Sequence, residues 1–236
     1  VLLPASLGQH AVDRIQGLNA IRFDGTIWDG STTLIIQNGP TGELKWRLQD
    51  LRNEQSDAPL QLEPTFYWSF SNSDIDLRGQ LNLGSKDARL QAEGNLSSAA
   101  LAPLLDRYDI FLSGDLVLKP SQLNVAYNTR SLHELTLPAP LEVIWSGGQI
   151  SYILSDQYSQ VELPSLRARV SQEKTKELTA TVTPKHNDGE LFNLALRTDG
   201  FVHIKLYRRF IDLLAYPWPG EQAPDDVVIE VERQLS

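Results

Sequence analysis

Apolar and polar side chains alternate along much of this chain. Ile75, Leu77, Gly79, Leu81 and Leu83 fall on one phase, while Asp74, Asp76, Arg78, Gln80 and Asn82 fall on the other. This period of two predicts a strand with one dry face and one wet face. The same pattern predicts strands at Ile21 and Phe23, at Leu44, Trp46 and Leu48, at Phe66, Trp68 and Phe70, and at Ala88, Leu90, Ala92 and Leu96. It returns at Ile110, Leu112, Leu116 and Leu118, then at Leu141, Val143 and Trp145, and at Ile150, Tyr152 and Leu154. Further strands are expected at Leu166 to Val170, Leu178 to Val182, Val202 to Ile204 and Val227 to Val231.

Three stretches change period. Pro4 at a first turn, with Leu7, Ala11, Ile15 and Leu18 at three- and four-residue spacing, predicts a helix ending near Gly17. Leu101, Leu104, Leu105 and Tyr108 predict a second, with Ser97 or Ser98 as N-cap. Tyr207, Phe210, Ile211 and Leu214 predict a third. Trp28 and Trp145 stand about half the chain apart and are each followed by strands, then a helix, then a strand. The expected fold is mainly β: an extended, strongly bent antiparallel sheet, half-barrel or open-barrel-like, built from two similar halves with a few short helices. One β-rich domain spans 1–236, with repeat halves 1–120 and 121–236.

Composition narrows the function classes. A net charge of -9 argues against sequence-independent nucleic-acid binding and against docking on anionic lipid, leaving only a local basic pair at Arg208 and Arg209. The absence of cysteine removes thiol nucleophiles, disulfides and cysteine zinc sites. The chain begins at Val1 and holds no methionine, so a cropped or processed product is expected. No run of about 18 apolar residues is present to span a membrane as a helix.

No catalytic constellation emerges. His10, His133, His186 and His203 are scattered, without metal-ligand spacing or an evident carboxylate orienter, and read as surface histidines. Ser171-Gln172-Glu173-Lys174 matches a Ser-x-x-Lys pattern, but it lies in a charged turn between strands rather than at a helix start. Asp24 with Asp29, and Asp225 with Asp226, read as solvated turn carboxylates rather than acid/base pairs. Trp28, Trp46, Trp68 and Trp145 occupy the apolar phase of their strands and read as core. Trp218, in the Pro-rich loop Tyr216-Pro217-Trp218-Pro219-Gly220, is the candidate docking residue. No cofactor and no metal site is expected.

The segment Gly25-Thr26-Ile27-Trp28-Asp29-Gly30 resembles the type II secretion system protein N (GspN) family. The opening Leu3-Pro4-Ala5, the strand Trp46-Arg47-Leu48 and the later tryptophan strand at Trp145 are similar to that family as well. Ser31 departs from it where a small apolar residue is expected, as does the lack of a glycine at the usual spacing before Trp145. The resemblance implies a periplasmic β-rich body, anchored in the inner membrane by an N-terminal helix absent from this chain. It also implies partners among the inner-membrane and periplasmic components of the secretion machinery, and it carries over no catalytic residue. The expected function is therefore a non-catalytic scaffold of type II protein secretion. The alternative is a lipid or apolar-ligand transfer module with an apolar groove along the sheet.

Overall fold

The computed structural model describes residues 3–9, 17–37, 39–53, 62–106, 109–127, 136–154, 157–173, 177–186, 189–197 and 199–234. Most of their strands form one antiparallel sheet. Its first part comprises β1 (Leu18–Gly25), β2 (Asp29–Ile36), β3 (Thr41–Asn53), β4 (Leu62–Ser71), β5 (Ile75–Leu83) and β6 (Asp87–Ser97). Two short helical segments follow, a 3-10 turn at Ser98–Leu101 and α1 (Ala102–Leu105). Next come β7 (Ile110–Leu112), β8 (Asp115–Ala126), β9 (Leu141–Trp145), β10 (Gly148–Leu154) and β11 (Gln157–Leu163). The chain continues through β12 (Leu166–Gln172), β13 (Leu178–Pro184), β14 (Phe192–Leu196), β15 (Phe201–Tyr207), α2 (Arg208–Leu213) and β16 (Val227–Gln234). Thirteen strands pair in the order β1-β2-β3-β4-β5-β6-β8-β9-β12-β13-β14-β15-β16, and β11-β10-β7 form a separate small sheet. The first and last strands of the large sheet do not meet, so it is an open, half-barrel-like surface.

Register explains why one face stays dry. Thr32, Leu44, Phe70, Leu77, Gly94 and Leu118 stand directly opposite one another on successive strands. Val143, Ala168, Val182, Phe192, Leu206 and Ile229 continue the same row to the far edge. Directly opposed residues share a face, so a single apolar row crosses from β2 to β16. Among the bulges of this sheet, two correct the simple alternation most plainly. At Arg22 (φ 57) the pairing of β1 slips, which leaves Ile21 exposed rather than on the dry face with Phe23. Buried Thr32 donates to the Ile21 carbonyl at 2.8 Å and so satisfies the backbone at this irregularity. Between Ala92 and Gly94, β8 sets two residues, Lys119 and Pro120, against the single Glu93, and this one extra residue moves its dry side chains from Leu116 and Leu118 to Leu123 and Val125.

The closed core lies under the later strands. Trp145, Leu163, Leu166, Val182 and Leu191 are buried together, with Leu112, Ile150, Val161, Phe210, Leu213 and Leu214 packed against them. The small sheet and α2 thus cover β9, β12 and β13. Phe192 and Phe210 meet edge to face at 5.9 Å. Of the expected helices, α2 forms as predicted. The second is described as a 3-10 turn at Ser98–Leu101 running straight into α1 (Ala102–Leu105), and Ser97 caps nothing with its side chain: its hydroxyl donates instead to Asp74 at 2.9 Å. Of the first, a 3-10 turn at Ala5–Gly8 and helical Gln9 are described; His10, Ala11, Ile15, Tyr108, His133 and Lys174 lie outside the described residues.

Candidate interaction surface

Aromatic rings lying on glycines build the early half of the sheet. The Trp46 ring crosses Gly30, directly opposite it, and its Nε1–H donates to the carbonyls of Thr26 and Ile27 at 3.2 and 3.1 Å. A Cβ at Gly30 would stand 2.7 Å from that ring and 2.6 Å from the Asp24 carbonyl. Gly25 turns the chain at φ +84, and the Thr26 hydroxyl accepts from the backbone N–H groups of Trp28 and Asp29. The Gly25-to-Gly30 segment is therefore a built turn that Trp46 locks. Trp28 is a correction to the sequence reading: it lies in the turn between β1 and β2, off the strands, and is 36% exposed.

Trp145, 6% exposed, repeats the Trp46 device. Its Nε1–H donates to Ser113 O at 2.8 Å, beside Gly114 at φ +90. Trp46 and Trp145 thus share this device, and Trp28, in its turn, does not. Trp68 reaches over Gly79, its partner on β5, to the Gln91 carbonyl at 3.2 Å. Trp218 is half-buried in its loop and donates to Gln222 Oε1 at 3.0 Å.

Among the described residues, no second layer packs on much of the dry face. Leu48, Phe66, Leu81, Leu90 and Leu123 form a cross-strand row of only half-buried side chains. Among the described residues, β3, β4 and β5 make substantial contacts only with their neighbours in the sheet.

The two edges differ. β1 is interrupted by its bulge, and the N-terminal segment bridges the turn beside it through Pro4 opposite Thr26 and Ile27 N–H to Leu3 O at 3.0 Å. β16 has a bulge of its own at Val228, at its start, then runs in unbroken register from Ile229 to Gln234, holds no proline, and among the described residues has no strand on its outer side. Val227 and Val231 on it are 40% and 45% exposed. An edge of this kind is a template for a further strand, and β1 is guarded against the same event.

The charged candidates have structural partners. His203 Nε2 lies 2.7 Å from Glu230 Oε1, so this histidine does have a carboxylate neighbour, one the sequence reading missed because the pair forms across strands. His186 is exposed in a turn. Asp29 holds Arg47 at 3.0 Å, Asp225 holds Arg209, and Arg208 pairs with Asp212 at 2.8 Å, which absorbs the basic pair locally. Ser171 lies on β12, in extended backbone. Hydrogen bonds from Ser73 and Ser97 hold the Asp74 carboxyl below its usual range. Among the described residues, no group of three or more His, Asp or Glu side chains is placed to hold a metal ion.

Comparisons with protein-family models, with curated proteins and with solved structures find no match to this chain.

Proposed function

We propose that this protein is a non-catalytic, periplasmic scaffold of type II protein secretion, and that it works by strand addition at β16. The observation that carries this reading is the unguarded β16 edge, with Val227 and Val231 exposed on a sheet whose opposite edge is bulged and bridged. Backbone groups along such an edge supply affinity, and alternate side chains supply specificity. The resemblance of Gly25 to Gly30 and Trp46 to the GspN family supports the choice of machine, as do the inner-membrane and periplasmic partners it implies. In this reading an N-terminal helix outside this chain anchors the body in the inner membrane.

A second copy fits the edge poorly. Two-fold antiparallel pairing keeps each side chain on its own face, so registers centred at 230, 231 or 232 oppose Glu230 or Glu232 to another glutamate. A different chain, with basic or neutral residues on that face, avoids this repulsion. A photocrosslinker at Val231, in cells assembling the secretion machine, is expected to capture one of its inner-membrane or periplasmic components; the same probe at Ile21 is expected to capture none. Capture of no secretion component from Val231, with normal export in a deletion strain, would contradict the proposal.

The uncovered row Leu48–Phe66–Leu81–Leu90–Leu123 favours a second reading, an apolar groove that carries lipid. Native mass spectrometry of protein taken directly from cells then shows copurified lipid, lost when Leu81 and Leu90 are replaced by glutamine. Lipid-free protein would sink this alternative and leave the first reading intact.

A further inference from the structure

The wet face of the same sheet carries a cleft that neither strand addition nor an apolar guest uses. Tyr67, Gln80, Gln91 and Gln122 stand directly opposite one another on β4, β5, β6 and β8. Neighbouring strands lie about 4.8 Å apart. One aromatic ring and three carboxamides therefore succeed one another in steps close to the length of a sugar residue in an extended glycan. Pro120 and Pro140 wall this cleft, whose volume is about 470 Å³. A second cleft of about 340 Å³ shares Gln80, Gln91 and Gln122 and extends the trough to Gln49 and Asn82.

The chemistry of the lining selects the ligand. Each carboxamide offers two donors and an acceptor, the complement of paired hydroxyls. Gln80 spends one donor on Gln49 at 3.2 Å, and Gln122 one on Asn124 at 3.0 Å. Gln91 reaches Gln122 only at 3.5 Å, the far limit of a hydrogen bond. Asn82 Oδ1 is shielded from solvent and accepts no hydrogen bond from the described residues. Charge is balanced locally: Arg78 and Glu93 pair at 3.1 Å in the first cleft, and the second is lined by Asp50 and by Arg89, which lies 3.9 Å from Asp87. Tyr67 is 45% exposed and presents its ring at one end of the row. An anion would find both nearby guanidiniums, Arg78 and Arg89, already beside a carboxylate, and an acyl chain would strand the amides without partners. We propose that this trough binds an uncharged linear oligosaccharide, with Tyr67 stacking on one sugar and Gln80, Gln91 and Gln122 bonding successive hydroxyls.

Isothermal titration of the whole chain with cellotetraose, maltotetraose and chitotetraose tests this, with a Gly-Ser tetrapeptide as the competing class. Saturable binding of at least one sugar is expected, weakened at least about tenfold in Tyr67→Ala and in Gln91→Ala and largely kept in Tyr67→Phe. Circular dichroism checks that each variant keeps its strand content, and Gln122→Ala replaces any that does not. The proposal is overturned by no saturable binding of any of the three sugars, by equal binding in the alanine variants, or by binding of the peptide alone.

Discussion

Replacing Trp145 by alanine lowers the stability of the chain by about 3–5 kcal/mol, the largest loss expected from any one side chain. Trp145 ends β9 and is 6% exposed, within the cluster formed with Leu163, Leu166, Val182 and Leu191. It joins the small sheet to the large one, because its Nε1–H holds Ser113, just after β7, at 2.8 Å. Its removal leaves a large cavity at the junction of the sheets and an unbonded carbonyl beside it. Trp145→Phe separates the two terms: most of the packing stays, and the lost hydrogen bond costs about 1 kcal/mol. Urea melts followed by far-UV circular dichroism measure both. An alanine variant within about 1 kcal/mol of the parent would show that the two sheets are not joined through this residue.

The second large effect is at Gly79. A Cβ there would lie 1.8 Å from the Gln91 carbonyl oxygen, a backbone atom that no side-chain rotation can move aside. That carbonyl occupies the space a side chain would fill and accepts the Trp68 Nε1–H at 3.2 Å. Gly79→Ala therefore breaks the β5–β6 ladder and the tryptophan bond that spans it. The expected loss is about 3 kcal/mol or more, at the top of the range for overpacking. Ala92→Gly, directly opposite, is the control: it removes a methyl group without a clash and costs about 1 kcal/mol. Equal losses from the two substitutions would refute the claim that Gly79 is required by its carbonyl contact.

Much of this fold is legible in the sequence because strand alternation is local. Leu44 to Leu48, Phe66 to Phe70 and Ile75 to Leu83 each declare a dry face, and the structure places them on neighbouring strands. What alternation does not carry is partnership. β7 and β10 alternate like any other strand, yet they leave the large sheet to form the small one with β11, whose sequence QYSQVEL has too few apolar positions to announce a strand. Bulges are equally silent. The phase change at Lys119 and Pro120, and the exposure of Ile21, come from pairing with distant strands. Thr32 reads as an ordinary strand residue, and only the freed Ile21 carbonyl explains its burial.

The candidate surface divides in the same way. Gly25, Thr26, Gly30 and Trp46 stand out as a motif, and the structure assembles them into one turn and its lock. Trp28 stands out equally but lies off the strands, since Thr26 closes the turn beneath it. The unguarded edge could not be read, because Val227 to Val231 look like any half-buried strand until the order of the sheet is known. The polar row from Tyr67 to Gln122 is hidden for a related reason: four residues far apart in sequence become neighbours only through register.

Hydrogen–deuterium exchange across Val227–Gln234 tests strand addition at β16 most directly. In the isolated protein the outward amides of Ile229 to Gln234 exchange fast, since no strand among the described residues pairs with them. In membranes containing the assembled secretion machine they become protected, while exchange across Leu18–Gly25 stays unchanged. Complex formation with no gain in protection along β16 would contradict the account.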